Sequence, residues 1–323
     1  KDRVDLVSYI GFLAFLTGLP AGASATGFTL DTSFGQGGVA VLPYVGYGQD
    51  VAATNLDVHP DGKLIVAGDY VTGVIFGGAL TTAFITRLDG SGTPDPQFFG
   101  GSITRAPTPR VLFQRDGEVL AGSANSDGPL ARYHRDGTLD RTFTGNAAAA
   151  IASVDPRFVF VDFALEPDGK VVVLGSVLWS SAPGFPGLTL LRLRTDGTLD
   201  TTFANGRDLF DAGTKRTLFA YFSSLARYPD GRLAVAVDNQ RLLNRGIAIA
   251  RVQANGEPDA AFGTGGVLDV GPQSSFTAET TPEIAVDATG RLVLAAIRVG
   301  QDAQEVSVRR LRADGALDTA FGN

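Results

Sequence analysis

The sequence predicts an all-β chain: a five-bladed β-propeller closed by an N-terminal strand and preceded by one N-terminal apolar helix. Three observations predict it. Glycine supplies 41 of 323 residues without a three-residue period, which suits a turn-rich β protein and excludes collagen. A unit of strand, Asp-Gly turn, strand, loop and strand recurs five times. Beyond the N-terminus almost no stretch carries a helical period.

Residues 1–26 form the first predicted element. Lys1-Asp2-Arg3 precedes an apolar run that includes Leu6, Ile10, Phe12, Leu13, Phe15 and Leu16, and Pro20 with small residues follows. That order is the plan of a secretory signal, with cleavage near Ala23 or Ala25. The rival is a retained membrane anchor: Val4–Pro20 is 17 residues, roughly 25 Å of helix and the short limit for a bilayer. A core helix is the third reading. The first two agree on export, to the periplasmic or cell-surface side, membrane-anchored or secreted.

Residues 27–323 form the second element, the propeller. The first turn of each repeat ends at Gly62, Gly117, Gly169, Gly231 and Gly290, and the second at Gly92, Gly137, Gly197, Gly256 and Gly315. The second half keeps strict time. Arg87, Arg132, Arg192, Arg251 and Arg310 each precede the second-turn Gly by five residues. Each precedes an Asp by eight (Asp95, Asp140, Asp200, Asp259, Asp318) and a Phe by eleven (Phe98, Phe143, Phe203, Phe262, Phe321). Asp-Gly supplies the positive φ of tight hairpin turns, and the apolar flanks, such as Leu64–Ala67 and Val171–Leu174, read as strands buried between sheets. Three hairpin-linked strands and a fourth after the Phe make one propeller blade. The missing fourth strand of repeat 5 is present near the N-terminus, after Asp31-Thr32-Ser33-Phe34-Gly35. The Asp-Thr-x-Phe-Gly copies at both ends leave one redundant, so an open arc or part of a larger ring stays open. Repeat 2 is shorter, and its fourth strand, at Gly145-Asn146 and the alanine run, is in doubt.

The segments DGKLIVAG at 61–68, DGTLDTTF at 196–203 and FGTGGV at 262–267 resemble the delta-sixty repeats of bacterial exported proteins, a family regarded as β-propellers. The resemblance covers about Leu30 to Asn323. It implies the fold and brings no common chemistry with it.

Composition removes several function classes. A net charge of −7 argues against nucleic-acid binding, and zero cysteines exclude disulfides, thiolate metal sites and cysteine nucleophiles. No cofactor, no metal and no catalytic residue is expected: the calcium-loop and phosphate-loop spacings and the serine elbow are all absent. Asp61, Asp116, Asp168 and Asp230 read as turn residues, and His59 and His134 as strand-end residues. The repeated Arg–Asp pairs read as structural clamps with the Phe beneath. What differs between repeats points to binding. The longest loops between second and third strands carry Ile75, Phe76 and Leu80 in repeat 1 and Leu178, Trp179 and Phe185 in repeat 3, an apolar, aromatic surface suited to protein partners. The expectation is therefore a non-enzymatic exported propeller, a scaffold or accessory subunit tethered to a membrane or to a larger membrane complex. The alternatives are a secreted glycan- or envelope-binding module and, third, a hydrolase or lyase with a central-channel site.

Overall fold

A computed structural model describes residues 31–41, 51–75, 78–99, 104–105, 110–122, 130–177, 187–206, 209, 223–241, 244–270, 278–299 and 304–322. The expected N-terminal helix, with Leu6, Ile10, Phe12, Leu13, Phe15 and Leu16, lies outside the described residues. Two compact units divide between Gly145 and Asn146.

The first unit holds repeats 1 and 2. Repeat 1 is an antiparallel sheet of β1 (Val51–Val58), β2 (Leu64–Ile75), β3 (Gly78–Leu88) and a short β4 (Thr104–Arg105). Repeat 2 has β5 (Arg110–Phe113), β6 (Val119–Gly122) and β7 (Leu130–Tyr133). Ile65, Ala67 and Ile85 of repeat 1 pack against Val111, Phe113, Val119 and Ala121 of repeat 2 in one core.

The second unit holds repeats 3 to 5. Repeat 3 has β8 (Phe158–Leu165), β9 (Val171–Val177) and β10 (Gly187–Leu193). Repeat 4 has β11 (Ser223–Arg227), β12 (Leu233–Arg241), β13 (Asn244–Val252) and β14 (Val267–Val270). Repeat 5 has β15 (Ala278–Val286), β16 (Leu292–Val299) and β17 (Gln304–Leu311). One core joins Leu188 and Leu190 to Leu225, Leu233 and Val235. A second joins Ile247 and Ile249 to Ile284, Leu292 and Leu294. Each core lies between consecutive repeats, so the strands need apolar residues on both faces. That is why they read as continuous apolar runs.

The turns meet their conformational need. All ten turn glycines have φ between 77° and 91°, a region closed to most side chains.

One element departs from the sequence reading. Residues Arg141–Val154 form helix α1, where a fourth strand of repeat 2 was in doubt. Asp140 caps it: its Oδ1 accepts the N–H groups of Thr142 and Phe143, each at 3.0 Å. The alanine run then continues the helix at little entropic cost. The helix also replaces the missing strand's first hydrogen bond. The Arg251 N–H is taken by the Gly266 carbonyl of the β14 segment at 2.8 Å, and the Arg132 N–H by the Thr144 hydroxyl at 3.2 Å. In repeat 3 the same N–H, on Arg192, goes to Asn205 Oδ1 at 2.9 Å.

Candidate functional site

The repeated residues build a corner in every repeat. The Arg Nε donates to the Asp carboxylate at 2.9 Å in Arg87–Asp95, Arg132–Asp140 and Arg192–Asp200, and at 2.7 Å in Arg251–Asp259 and Arg310–Asp318. Each guanidinium lies over the ring of its own Phe, 4.3–4.8 Å from the centroid. Burial pushes the Asp259 carboxyl up, but the charges of Arg251 and Arg232 outweigh it and hold the group below its ordinary value.

The corner also reaches the next repeat, which spacing within one repeat could not disclose. Arg192 Nη1 donates to the Ala254 carbonyl at 2.9 Å, and Arg251 Nη1 does the same to Ala313. The Phe203 ring lies under Gly256, and Phe262 under Gly315; a Cβ at either glycine would come within 2.9 Å of the ring. Glycine is required there for space as well as for φ. Near the N-terminus, Phe34 lies under Gly92 in the same way.

A second set of side chains varies where the corner repeats. Six residues before the third position of each first turn, the first strand carries Asn55, Arg110, Asp162, Ser224 and Glu283. A β-bulge immediately precedes Asn55, Asp162 and Glu283. Bulges of this kind re-aim a side chain and gather near binding sites. Three of these residues accept a backbone N–H of the following repeat: Asn55 Oδ1 from Val111 at 2.9 Å, Asp162 Oδ2 from Leu225 at 2.9 Å, and Ser224 Oγ from Ile284 at 3.2 Å. Ser224 Oγ also donates to Glu283 Oε2 at 3.0 Å. In the second unit, Asp162, Ser224 and Glu283 thus lie on three successive first strands. Asp162 and Ser224 are buried and Glu283 is exposed. Asp57 adds a fourth carboxylate in the first unit. It accepts the Phe113 N–H at 2.7 Å, and burial pushes it above its ordinary value.

The corner of repeat 2 differs from the others in charge. The residue after the first-turn Gly is Lys63, Lys170, Arg232 or Arg291 elsewhere, but Glu118 here. Glu118 receives Arg132 Nε at 3.0 Å and lies 2.9 Å from His134 Nδ1. Glu118, His134 and Asp140 each bring a ligand atom within 4.8 Å of the others. The set does not suit a metal ion. Arg132 lies against both carboxylates, at 3.0 and 2.6 Å, and the other oxygen of Asp140 caps α1. A cation there would face a guanidinium.

The apolar residues expected to form an interaction surface are partly described. Ile75 and Leu80 belong to β2 and β3, which pair as far as Ile75 with Gly78, so this stretch is an extended hairpin and not a loop. Phe76, Leu178, Trp179 and Phe185 lie outside the described residues. No helix among the described residues is long and apolar enough to cross a membrane.

Comparison with known proteins follows the same repeat boundaries. A family model described as "Domain of unknown function (DUF5122) beta-propeller" matches residues 59–98, 114–143, 166–203 and 288–321. No curated protein matches the chain. Among solved structures, a Dyadobacter fermentans protein of unknown function is similar at 11% identity over 84% of this chain and 81% of that one, with a TM-score of 0.51. A polysaccharide lyase, an ulvan lyase, is 9% identical over 84% and 73%, with a TM-score of 0.47. An α-L-arabinofuranosidase from Podospora anserina is 10% identical over 83% and 92%, with a TM-score of 0.40. Identities this low concern the fold alone. The expectation of a non-enzymatic scaffold subunit is corrected at this point. It rested on the lack of a catalytic constellation in the sequence, yet a glycosidase and a lyase stand among the similar structures, so that exclusion does not hold. Each matched stretch of the family model runs from a first turn to the Phe of its corner, and the chain is accordingly one of β-propeller repeats.

Proposed function

We propose that this is an exported β-propeller of the delta-sixty type, with its five repeats in one ring, and that it binds polyhydroxylated glycans of the cell envelope along its first strands. The observation that carries the reading is the row Asp162, Ser224 and Glu283. Its register is constant and its chemistry is not, whereas the structural corner keeps the same three residues in every repeat. Carboxylate and hydroxyl oxygens aligned on successive strands accept and donate hydrogen bonds at the spacing of strands, which suits a ligand rich in hydroxyls. Glu283, exposed and oriented by Ser224, is the member most open to such a ligand. Export would rest on the apolar run Val4–Pro20.

The test is binding of the full chain to an array of envelope glycans, followed by titration calorimetry of any hit. Glu283→Ala should weaken binding by about tenfold or more, the loss of one charge-assisted hydrogen bond. Release of reducing ends in the same incubation separates binding from turnover. An array without hits, or a hit untouched by Glu283→Ala, overturns the reading.

A further inference from the structure

In repeat 4, β13 is enclosed. β12 pairs on one side and β14 on the other, and Ile247 and Ile249 are 1% and 0% exposed against Ile284, Leu292 and Leu294 of repeat 5. The matching residues of β17 in repeat 5 are Val306 and Val308, and these are 75% and 47% exposed. Among the described residues β17 pairs only with β16.

The segment that covers β13 runs from Phe262 to Leu294. A copy of it begins at Phe34. Gly35, Gly37 and Gly38 have φ of 56°, 63° and 93°, and Gly263, Gly265 and Gly266 have 55°, 62° and 93°. Gly38 N–H donates to the Phe34 carbonyl at 2.8 Å as Gly266 N–H does to Phe262 at 3.0 Å. Phe34 lies under Gly92 as Phe262 lies under Gly315. In this copy Val39 takes the place of Val267, and Leu56, Leu64 and Val66 take those of Ile284, Leu292 and Leu294. Val39 and Val41 are 49% and 80% exposed, and the other three are half-buried, against 7%, 1% and 0% for their counterparts. One chain therefore presents an open acceptor edge and an open covering segment of matching register.

We propose that β17 receives Val39–Val41 from a second copy of this chain, in a head-to-tail contact that repeats the junction of repeats 4 and 5. The register follows from β13 and β14, where Ala248 opposes Asp269 and Ile249 opposes Leu268. Ser307 then opposes Val41, and Val308 opposes Ala40. Such a contact adds main-chain hydrogen bonds along an edge and covers Val306 and Val308. It is heterologous, so it yields chains or closed rings of copies. The Asp318–Gly322 loop is displaced by Asp31–Gly35 of the incoming copy. Both segments read Asp-Thr-x-Phe-Gly, and in both the Phe N–H bonds the Asp carbonyl at 3.0 Å, so like replaces like.

The chain has no cysteine, which makes a cross-link test clean. Val41→Cys and Ser307→Cys are placed in separate full-length chains, mixed, and treated with a mild oxidant. The expected result is a disulfide-linked species of twice the chain mass, absent when Val306→Glu and Val308→Glu accompany Ser307→Cys. Deleting residues 318–323 from the Ser307→Cys chain should raise the cross-linked fraction, because no loop then competes. Should those glutamates simply unfold the chain, its far-ultraviolet circular dichroism will show it, and the deletion variant then serves as the test. No cross-link in the mixture overturns the proposal. So does a chain carrying both cysteines that links only to itself at high dilution, since the strand would then come from the same copy.

Discussion

Repeats 4 and 2 carry the same corner and use it differently. In repeat 4 two cations serve one carboxylate: Arg251 lies 2.7 Å and Arg232 3.2 Å from Asp259. The Arg251 and Asp259 side chains are 2% and 4% exposed, and β14 closes the blade. In repeat 2 one cation serves two carboxylates, with Arg132 between Glu118 and Asp140, and a helix takes the strand's place. Arg132 and Asp140 are 16% and 10% exposed. The Arg, Asp and Phe therefore fix the corner's geometry. Its charge balance is set by one further residue, the one after the first-turn glycine.

Removing the arginine should separate the two repeats most. Arg251→Ala leaves Asp259 buried with Arg232 as its remaining ion-pair partner and frees the Ala313 carbonyl. A cost of about 3–5 kcal/mol is expected, the range for breaking a buried pair. Arg132→Ala should cost less, because water reaches that corner. Urea unfolding midpoints of the two variants check the order. Equal losses would mean that exposure does not govern the corner's strength.

The glycine turns give a smaller effect. Alanine at Gly256 must hold φ near 85° and place its Cβ 2.8 Å from the Phe203 ring. Crowding and backbone strain together should cost about 2–4 kcal/mol. Gly117 has a similar φ of 83°, but its nearest neighbour is the flexible Arg135 side chain at 3.5 Å. Gly117→Ala should therefore show backbone strain alone, about 1–2 kcal/mol. Thermal melting of the pair sharpens the distinction between a second turn roofed by a ring and a first turn open beside it.

The contrast also explains what the sequence could disclose. The corner was legible because its three residues follow the Arg at fixed offsets, and a fixed offset within one hairpin means a fixed contact. The link from Arg251 to Ala313 was not, because its partner lies in the next repeat and depends on how sheets stack. The row Asn55, Arg110, Asp162, Ser224 and Glu283 escaped for the opposite reason: a search for identity passes over a register that keeps only polarity. Helix α1 did carry a signal, with Asp140 as cap before an alanine run. The rhythm of the repeat outweighed it, since Asp140 was already the corner's carboxylate. It is both, one oxygen serving each task.

Reversing the charge that distinguishes repeat 2 tests its role directly. Glu118→Lys restores the sign found in the other repeats, where Lys170 approaches Asp200 at 3.3 Å. The gain on Asp140 and the loss on Arg132 and His134 oppose each other at a partly exposed site, so the net change should stay within about 1 kcal/mol.

The smallest expected effect is the pH response of His134. The hydrogen bond from Glu118 raises its pKa above the ordinary 6.5, and the charges of Glu118, Asp140 and Asp136 add to it against a slight opposing effect of burial. A group with a raised folded-state pKa stabilises fully below its unfolded value and loses that contribution as pH rises through the folded one. The stability difference between the native chain and Glu118→Gln should therefore be larger at about pH 5 than at about pH 8. Arg132 keeps its charge throughout that range, so its pairing with Glu118 contributes to the difference at both ends and cancels from the change. Nuclear magnetic resonance titration of the His134 ring reads the same coupling without unfolding. Its midpoint should fall in Glu118→Gln and stay unmoved in Glu166→Gln, whose carboxyl belongs to repeat 3. A midpoint unaffected by Glu118→Gln would remove the charge-reversed corner as the cause and leave the repeat's own aspartates as the groups His134 senses.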